Sequence, residues 1–575
     1  MKDLRNKENL WFWAALCFAA VAVFANLGSE GIYAAQEGRT ALILRNMFRT
    51  GDYLEMRVDY GVPYEKPIGH YWLCLPSAYF AGLAGDALES AVEWGIRLPS
   101  ALCSLLTVLL AGLLTRRIYR STRAGAMAMV ILSTMSNFDK LGRLGHIDMP
   151  LACAFMLAMY FLYTGYFEDW KPNWKLYLFY AALGWGMLLK GPLVIVLAGL
   201  TVAGMAATRG KRWYEVLRDL RLVRGALIVL AIALPWYIYE CIHSKGAFFD
   251  EFIVRQNLAR FSGDPKVYRK KSPFWHDIPK LIGGALPWSL AALAALGIYF
   301  KRIVRFRLST GSRFLLIWFL TGFVFFSLSA VKRVDYLLPI FPALAMMTAR
   351  AVAEWCEKSP ATPRKWWLTV WIVFAVILVA AFAVNGSGLV IKLGEAMRDG
   401  KFAHATRRDG MTVIMISEFL RAHSAAVLAA FSAMAALVFF EGWSMGKRRY
   451  DRVFAAVALT VLGIFLSYHL SIEPGTDRLR SVKSFARNAR EIVPPGDTYV
   501  IFGNFNTEMI YFMDRNYRRR TIMPEDIWVI AEPRYVEKIC AKTGSKWREE
   551  LRTIENHHYP AVLLKRMPAA DAGGK

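Results

Sequence analysis

Residues 36–72, QEGRTALILRNMFRTGDYLEMRVDYGVPYEKPIGHYW, place acids, bases and aromatic residues at close spacing. They follow an apolar run at 10–26, LWFWAALCFAAVAVFAN, which is long enough to cross a bilayer as a helix. Ionisable side chains held beside lipid are costly and are more often functional than incidental. The segment therefore predicts a functional loop attached to a membrane domain.

The whole chain has the composition of a polytopic membrane protein. It is 56% hydrophobic and 14% aromatic, and its apolar residues fall in long blocks. Such blocks satisfy their own backbone hydrogen bonds as helices in lipid. The pattern predicts an α-helical fold with about thirteen spans, the amino terminus cytoplasmic and the carboxyl terminus outside. The predicted spans lie near 10–26, 95–115, 124–137, 148–166, 175–189, 191–207, 225–243, 280–300, 314–330, 337–355, 367–385, 424–441 and 453–470.

The charge and cysteine patterns exclude other classes. The formal net charge is +26, but the basic residues cluster between apolar blocks, as they do in cytoplasmic loops of membrane proteins. We therefore expect no nucleic-acid partner. The seven cysteines show no spacing typical of a zinc site or a disulfide framework. The first apolar segment lacks a small-x-small cleavage site, so we expect a retained first span rather than a signal peptide.

Two domains are predicted. Residues 1–470 form the transmembrane domain, with external loops at 28–94, 137–148, 244–279 and 331–336. Helix 67–84 inside the first loop is expected to be interfacial or re-entrant, because counting it as a span would place the basic cluster at 115–123 outside. From residue 471 onward no segment is able to span a bilayer, and alternating apolar runs predict a small α/β periplasmic domain at 471–575.

The first external loop supplies the first candidate site residues. Glu37 begins a helix whose residues Ala41, Leu44 and Met47 share one apolar face, which predicts a helix lying on the membrane surface. An equally open reading is a membrane anchor with Glu37 as a capping acid. Further along, Glu65 and Lys66 precede a proline that begins the next apolar helix.

The second loop places Asp148 at the outer entrance of a span, with Arg143 and His146 nearby. A helix-capping role for Asp148 is the alternative to a functional one. His146 is expected to be a surface histidine. Lys190, between two short apolar runs, is expected to snorkel toward the interface.

The later external loops are basic and aromatic. Arg255 and Arg260 offer forked donors to phosphate oxygens. Lys332, Arg333 and Tyr336 form a basic turn on the predicted outer side, against the usual charge bias. Acids and cations on one face of a many-span protein predict group transfer from a membrane-bound phosphate donor. The alternative is a transporter or flippase, which would instead place charges near span centres and show an internal repeat.

These motifs together resemble the integral-membrane GT-C glycosyltransferases, specifically the bacterial relatives of protein O-mannosyltransferases and the lipid A aminoarabinose transferases. The resemblance covers roughly residues 10–350. It rests on seven segments in order, EGRTALILRNMFRTGDYL, YEKPIGHYW, GHIDMPL, LLKGPL, FFDEFIVRQNLARF, GGALPWS and VKRVDYLLPIFPAL.

The resemblance implies an inverting transferase in a bacterial inner membrane. It would move a sugar from a polyprenyl-phosphate donor to a lipid, glycan or protein acceptor on the periplasmic face. Glu37 and Asp148 match the catalytic acids, and Lys66, Arg260, Lys332 and Tyr336 match positions that hold the donor phosphate. The remaining wall of the implied site comprises Gln36, Arg39, Glu65, Gln256 and Asn257.

Two residues depart from the family pattern. Gln36 stands where relatives have an acid, and an amide cannot act as a base, so either Glu37 or Asp148 must do so or the acceptor is already anionic. A catalytically inactive relative is the remaining possibility. Gln256 stands where relatives often have a histidine able to bind a metal together with Glu65. Because the imidazole is missing, we expect no tightly bound catalytic metal or other cofactor.

Overall fold

The computed structural model describes residues 2–567 with gaps at 33–34, 59–60, 84, 86–90, 209–212, 260–272, 306–307, 331, 359–375, 377–382, 400, 402–406, 423–449, 504–506, 520 and 554–559. The described part is mainly helical. The helices are α1 Lys2–Phe24, α2 Ala35–Thr50, α3 Gly69–Phe80, α4 Val92–Tyr119, α5 Thr122–Ser133, α6 Ser136–Gly142, α7 Asp148–Leu162, α8 Lys175–Lys190, α9 Leu193–Ala207, α10 Trp213–Asp219, α11 Leu222–His243, α12 Asp277–Gly284, α13 Ser289–Val304, α14 Thr310–Leu328, α15 Phe341–Lys358, α16 Leu389–Arg398, α17 Arg407–Ala422, α18 Tyr450–Ser467, α19 Glu473–Arg480, α20 Lys483–Ile492, α21 Thr507–Met513 and α22 Val536–Thr543.

Several helices are built to cross a membrane. Five stretches within the described residues are long and apolar enough to do so, at Val92–Tyr119, Asp148–Phe167, Leu222–His243, Thr310–Leu328 and Val334–Glu357. Four shorter apolar helices accompany them. The chain is thus a multi-pass membrane protein. The predicted spans at 367–385 and 424–441 fall almost wholly outside the described residues, so the count of thirteen stays a prediction.

The helices of the membrane part pack around one large apolar core. Helix α7 lies at its centre and contacts α4 and α8, while α4 and α5 pack against α1. Small residues allow close approach at some of these contacts. A methyl group added at Gly112 on α4 would stand 2.6 Å from Met129 of α5, so only glycine fits there.

The first loop contains two helices, α2 and α3, that the sequence analysis placed at the membrane interface. Helix α3 has 12 residues, a length of about 18 Å that cannot span a hydrocarbon layer of about 30 Å. It is therefore not a span. The prediction that α2 lies on the membrane surface is wrong, because Ala41, Leu42, Ile43, Leu44 and Arg45 are all buried in protein. An amphipathic stripe does not distinguish lipid from a protein partner.

The partner of α2 is the carboxyl-terminal part of the chain. There, the strands β1 Tyr499–Phe502, β2 Tyr517–Arg519, β3 Trp528–Ala531, β4 Trp547–Arg552 and β5 Val562–Arg566 form one sheet in the order β2-β1-β3-β5-β4. Strand β1 pairs in parallel with β2 and β3, and β5 pairs antiparallel with β3 and β4. Val500, Val529 and Val562 are fully buried beneath α22.

Helix α21 of this carboxyl-terminal part is clamped onto α2. Asp514 pairs with Arg45 at 3.0 Å and with Arg49 at 2.8 Å. The Thr507 hydroxyl donates to the carbonyl of Ala35 at 3.2 Å. A methyl group on Gly38 would stand 2.3 Å from Thr507, so α2 and α21 touch backbone to side chain. The two ends of α2 are therefore held by residues more than 460 positions away.

Candidate active site

A cavity of about 680 Å³ opens between α8, α14 and the π-helical segment Phe249–Ala259. Its wall is mainly apolar, with Leu193, Val196, Phe252 and Phe325 among its residues. The cations at its edge are Lys66 and Lys190. An apolar cavity with convergent cations suits an amphiphile that carries a negative head group.

Four of the residues predicted from sequence line this cavity. They are Lys66, Gln256, Asn257 and Tyr336. The Gln256 amide donates to Glu251 at 2.8 Å, and the Asn257 amide donates to the carbonyl of Phe252 at 2.6 Å. These bonds hold the π-helical segment as one wall of the cavity.

Lys190 joins the cavity to Asp148. It is the last residue of α8, and its ammonium donates to Asp148 Oδ1 at 2.5 Å. The same ammonium lies 4.7 Å from the ring centroid of Tyr336, within cation–π range. Both Lys190 and Asp148 are largely enclosed. The prediction that Lys190 snorkels away is wrong, because an acid and an aromatic ring hold it in place.

Glu37 lies in a second and fully buried ion pair. Arg97 of α4 donates from Nε to Glu37 Oε1 at 2.8 Å and from Nη2 to Oε2 at 3.0 Å. The Gly145 N–H adds a third bond to Oε1 at 2.8 Å. Burial alone would raise the pKa of Glu37, but Arg97 and this N–H hold the pKa below its usual value. Glu37 therefore stays ionised, and α2, α4 and the loop before α7 meet at its carboxylate.

Arg97 also organises the first loop through its backbone. It is 2% exposed and also donates to the carbonyls of Leu27, Glu30 and Gly31. Sequence reasoning missed it. The signal was present, since an arginine inside the apolar run of α4 is costly and needs a partner.

The acid of the YEKP segment is paired as well. Glu65 accepts from Arg39 of α2 at 2.6 Å, in a half-exposed position. Within the described ranges, no three His, Cys, Asp or Glu side chains lie close enough together to hold a metal ion. Gln36, at the start of α2, is half-buried, and its carbonyl accepts from the Thr40 hydroxyl at 3.0 Å.

Three further cations were predicted to bind phosphate, namely Lys332, Arg255 and Arg260. The Lys332 side chain is enclosed, and its ammonium bonds to the carbonyl of Ser327 at 2.5 Å and to Asp277 at 3.4 Å. The predicted role of Lys332 on the donor phosphate stays a prediction. Arg255 pairs with Glu251 at 3.2 Å on an exposed face. Arg260 lies outside the described residues.

Two histidines lie beside the acids. His70 of α3 and His146 of the loop before α7 are both buried, so the prediction of a surface position for His146 is wrong. Burial, together with the nearby His146, lowers the pKa of His70 to about 4. His70 is therefore neutral at physiological pH.

Comparisons with known proteins agree with this architecture. The family of dolichyl-phosphate-mannose-protein mannosyltransferases matches residues 67–239. The undecaprenyl phosphate-alpha-4-amino-4-deoxy-L-arabinose arabinosyl transferase 2 of Pseudomonas fluorescens (strain Pf0-1) is 28% identical over 342 residues, 58% of each chain. The corresponding transferase of Pectobacterium atrosepticum is 26% identical over 375 residues, 64% of this chain and 63% of that one. The chain thus spans about three fifths of the length of these curated relatives.

The fold comparison extends further along the chain. The crystal structure of ArnT from Cupriavidus metallidurans bound to undecaprenyl phosphate superposes with a TM-score of 0.72 over 98% of this chain and 99% of that one, at 19% identity. This chain has the GT-C fold. The resemblance to GT-C glycosyltransferases predicted from the sequence motifs is confirmed. Within the GT-C fold, residues 67–239 run from just before α3 through most of α11 and so include Lys190, Asp148 and Arg97.

Proposed function

We propose that this chain is an inverting glycosyltransferase that takes a sugar from a polyprenyl-phosphate donor and transfers it to a lipid of the lipid A type. The relatives from Pseudomonas fluorescens and Pectobacterium atrosepticum are undecaprenyl phosphate-alpha-4-amino-4-deoxy-L-arabinose arabinosyl transferases, which carry out the same class of reaction. The site is proposed to face the periplasm, in a bacterial inner membrane.

One observation carries the proposal, namely the position of Lys190. Its ammonium is fixed by Asp148 and Tyr336 at the edge of a largely apolar cavity. An isoprenoid chain needs apolar surface, and its phosphate needs a cation that the protein has already desolvated and oriented. Lys66, at the same cavity, supplies a second cation.

The roles of the predicted acids follow from their partners. In an inverting transfer, the acceptor attacks the anomeric carbon opposite the phosphate, and negative charge grows on the departing phosphate oxygen. Lys190 and Lys66 are placed to stabilise that charge. Asp148 orients Lys190, and Glu37 fixes α2 against α4 through Arg97. The alternative from the sequence, in which Glu37 or Asp148 takes the acceptor's proton, stays a prediction.

The domain division is also part of the proposal. Residues 1–470 would hold the donor in the membrane, and residues 471–575 would stand in the periplasm. The clamp between α21 and α2 supports a structural role for the second domain, because it fixes the helix that carries Gln36, Glu37 and Arg39.

The proposal is tested with purified protein in detergent, labelled undecaprenyl phosphate-α-4-amino-4-deoxy-L-arabinose and lipid A. We expect the wild-type chain to form a lipid A product heavier by one sugar, detected by mass spectrometry. Lys190→Ala should lower the rate by about 100-fold or more, the usual loss when a stabilising charge is removed from a transition state. Lys171→Ala, at an exposed residue in the segment before α8, is the matched control.

Two results would contradict the proposal. One is a wild-type chain that binds the donor but never releases the polyprenyl phosphate, which would favour a transporter or an inactive relative. The other is Lys190→Ala turning over at the wild-type rate. Envelope extracts from cells with and without the protein would reveal a glycan or protein acceptor as a mass shift of one sugar in those fractions instead.

A further inference from the structure

A pair of arginines lies where α8 and α11 begin, at the end of α8 that is remote from the cavity. Tyr177 belongs to the first turn of α8 and Lys190 is its last residue, so about 20 Å of helix separates the two. Arg221 directly precedes α11, and Arg224 lies in the first turn of α11. The arginine pair is therefore distinct from the candidate active site.

The two guanidinium groups converge on one oxygen atom. Arg221 donates from Nη1 to the Tyr177 hydroxyl at 3.0 Å, and Arg224 donates from Nη1 to the same oxygen at 3.4 Å. The Arg221 guanidinium also lies 5.8 Å from the centroid of the Tyr177 ring. In the part of the chain that the structure describes, neither guanidinium pairs with a carboxylate. Two like charges thus share a neutral phenol, and an anion between them would stabilise both.

The packing of α8 against α11 holds these charges together. The Tyr180 hydroxyl donates to the carbonyl of Leu220 at 2.8 Å, and a methyl group on Gly225 would stand 2.2 Å from the Tyr180 ring. Arg221 has a φ of 55°, in the left-handed region that is uncommon for a residue other than glycine. The amino end of a helix also disfavours cations. The position of the arginines is thus unfavourable for the chain alone, and a bound anion would offset this cost.

An exposed apolar stripe on α11 begins beside the arginines. Val223, Leu227, Leu230 and Leu234 recur at every third or fourth position, which places them on one face of the helix. All four are exposed, with Val223 at 76% and Leu227 at 62%. Among the five long apolar stretches of the described residues, Leu222–His243 is the least enclosed by protein, with 22% buried. The stripe therefore faces membrane lipid and offers a surface for an acyl chain.

We propose that Arg221, Arg224 and Tyr177 bind the head-group phosphate of an anionic phospholipid whose acyl chains lie along the stripe of α11. Each guanidinium presents forked donors that match phosphate oxygens. The Tyr177 hydroxyl accepts from both arginines and keeps its own O–H to donate to the phosphate. Basic pockets between membrane helices are suited to phosphate head groups. Because the pair carries two positive charges without an acid, a head group of net negative charge is favoured over a zwitterionic one.

The test is native mass spectrometry of the full-length protein in detergent, titrated with phosphatidylglycerol or with phosphatidylcholine. We expect one phosphatidylglycerol to bind, about tenfold or more tightly than phosphatidylcholine. Arg224→Glu, at an exposed position where substitution leaves the fold intact, should weaken phosphatidylglycerol binding by about tenfold or more. Arg224→Lys keeps the charge but loses the fork, so its affinity should fall between those of Arg224→Glu and wild type.

The matched control is Arg117→Gln, because the Arg117 guanidinium is already satisfied by Glu168 at 2.7 and 2.8 Å. This variant should bind phosphatidylglycerol as wild type does. Unchanged binding in Arg224→Glu would overturn the proposal, as would equal affinity for the two lipids, which would assign binding to the apolar stripe alone.

Two other results would name a different occupant and would also overturn the proposal. One is full displacement of the lipid by inorganic phosphate, which would mean a site for the free anion. The other is a lipid-free dimer of the wild-type chain that Arg224→Glu dissociates, which would mean a contact between two copies. No sugar transfer enters these measurements, so their outcome is independent of the proposed transferase function.

Discussion

The Arg97 guanidinium lies against the Glu37 carboxylate, with both side chains at most 2% exposed and 60 residues apart in sequence. The pair joins α4 to α2 and, through Gly145, to the loop before α7. Three segments therefore share one buried ion pair. Removing this ion pair should destabilise the contacts among all three segments.

Arg97→Gln should destabilise the protein by about 3–5 kcal/mol, because it leaves the Glu37 carboxylate buried and uncompensated. Thermal unfolding in detergent measures this loss. The exposed pair Arg117–Glu168 is the control, and Arg117→Gln should cost at most about 1 kcal/mol. Similar costs for the two substitutions would contradict the view of Glu37–Arg97 as an organising pair.

Lys190 and Lys332 should separate function from stability. Lys190→Met combined with Asp148→Asn removes a cavity cation without leaving a buried carboxylate uncompensated, so it should abolish donor turnover while the fold persists. Lys332→Met strands Asp277 in a buried position and should lower the melting temperature first. Donor binding and thermal unfolding, both measured on the same two preparations, test whether one substitution affects function and the other affects stability. If Lys332→Met folds normally and loses only donor affinity, the earlier assignment of Lys332 to the phosphate regains support.

Asp514→Asn should loosen the clamp between α21 and α2. Arg45 is buried and would keep its charge with a weaker partner, so we expect a loss of about 3 kcal/mol or more. Arg49→Gln removes the half-exposed arm of the same cluster and should cost at most about 1 kcal/mol. Limited proteolysis after residue 470 should become faster in Asp514→Asn alone.

Glu508 should make this docking pH-sensitive. Burial raises the pKa of Glu508 to about 7, although the Ser481 hydroxyl and the Val482 N–H both donate to its carboxylate. The folded state thus keeps a proton that the unfolded chain releases near pH 4.5. Stability should fall as pH rises from about 4.5 to 7 and level off above that range, a total of about 3 kcal/mol.

Glu508→Gln tests this directly, since the amide is neutral at every pH and retains an acceptor oxygen. The difference in melting temperature between Glu508→Gln and wild type should grow from pH 5 to pH 7.5 in favour of the variant. A constant difference across that range would mean that Glu508 is ionised throughout.

Much of the site was accessible from the sequence because its residues lie in short motifs at helix entrances. Lys66, Tyr336, Gln256 and Asn257 were predicted as site residues and do line the cavity. Their motifs are local and resemble those of the GT-C family, and it was this resemblance that implied their place in the site. The helical class of the fold was equally clear from the apolar blocks, since backbone in lipid has few alternatives.

The sequence did not reveal which charged side chains pair with one another. Glu37 finds Arg97 and Asp148 finds Lys190 across 60 and 42 positions, and nothing in either local segment encodes the match. The surface position predicted for His146 failed for the same reason. A polar residue in a loop is usually exposed, and only the tertiary structure shows that this one is buried.

The clamp of α21 on α2 also has a consequence for biogenesis. Helix α2 comes early in the chain, yet Thr507 and Asp514, which hold its two ends, lie more than 460 positions later. During synthesis α2 therefore emerges long before these partners, and its contacts with α21 form only after residue 514 has been made. A chain that stops before Thr507 lacks both of these partners of α2.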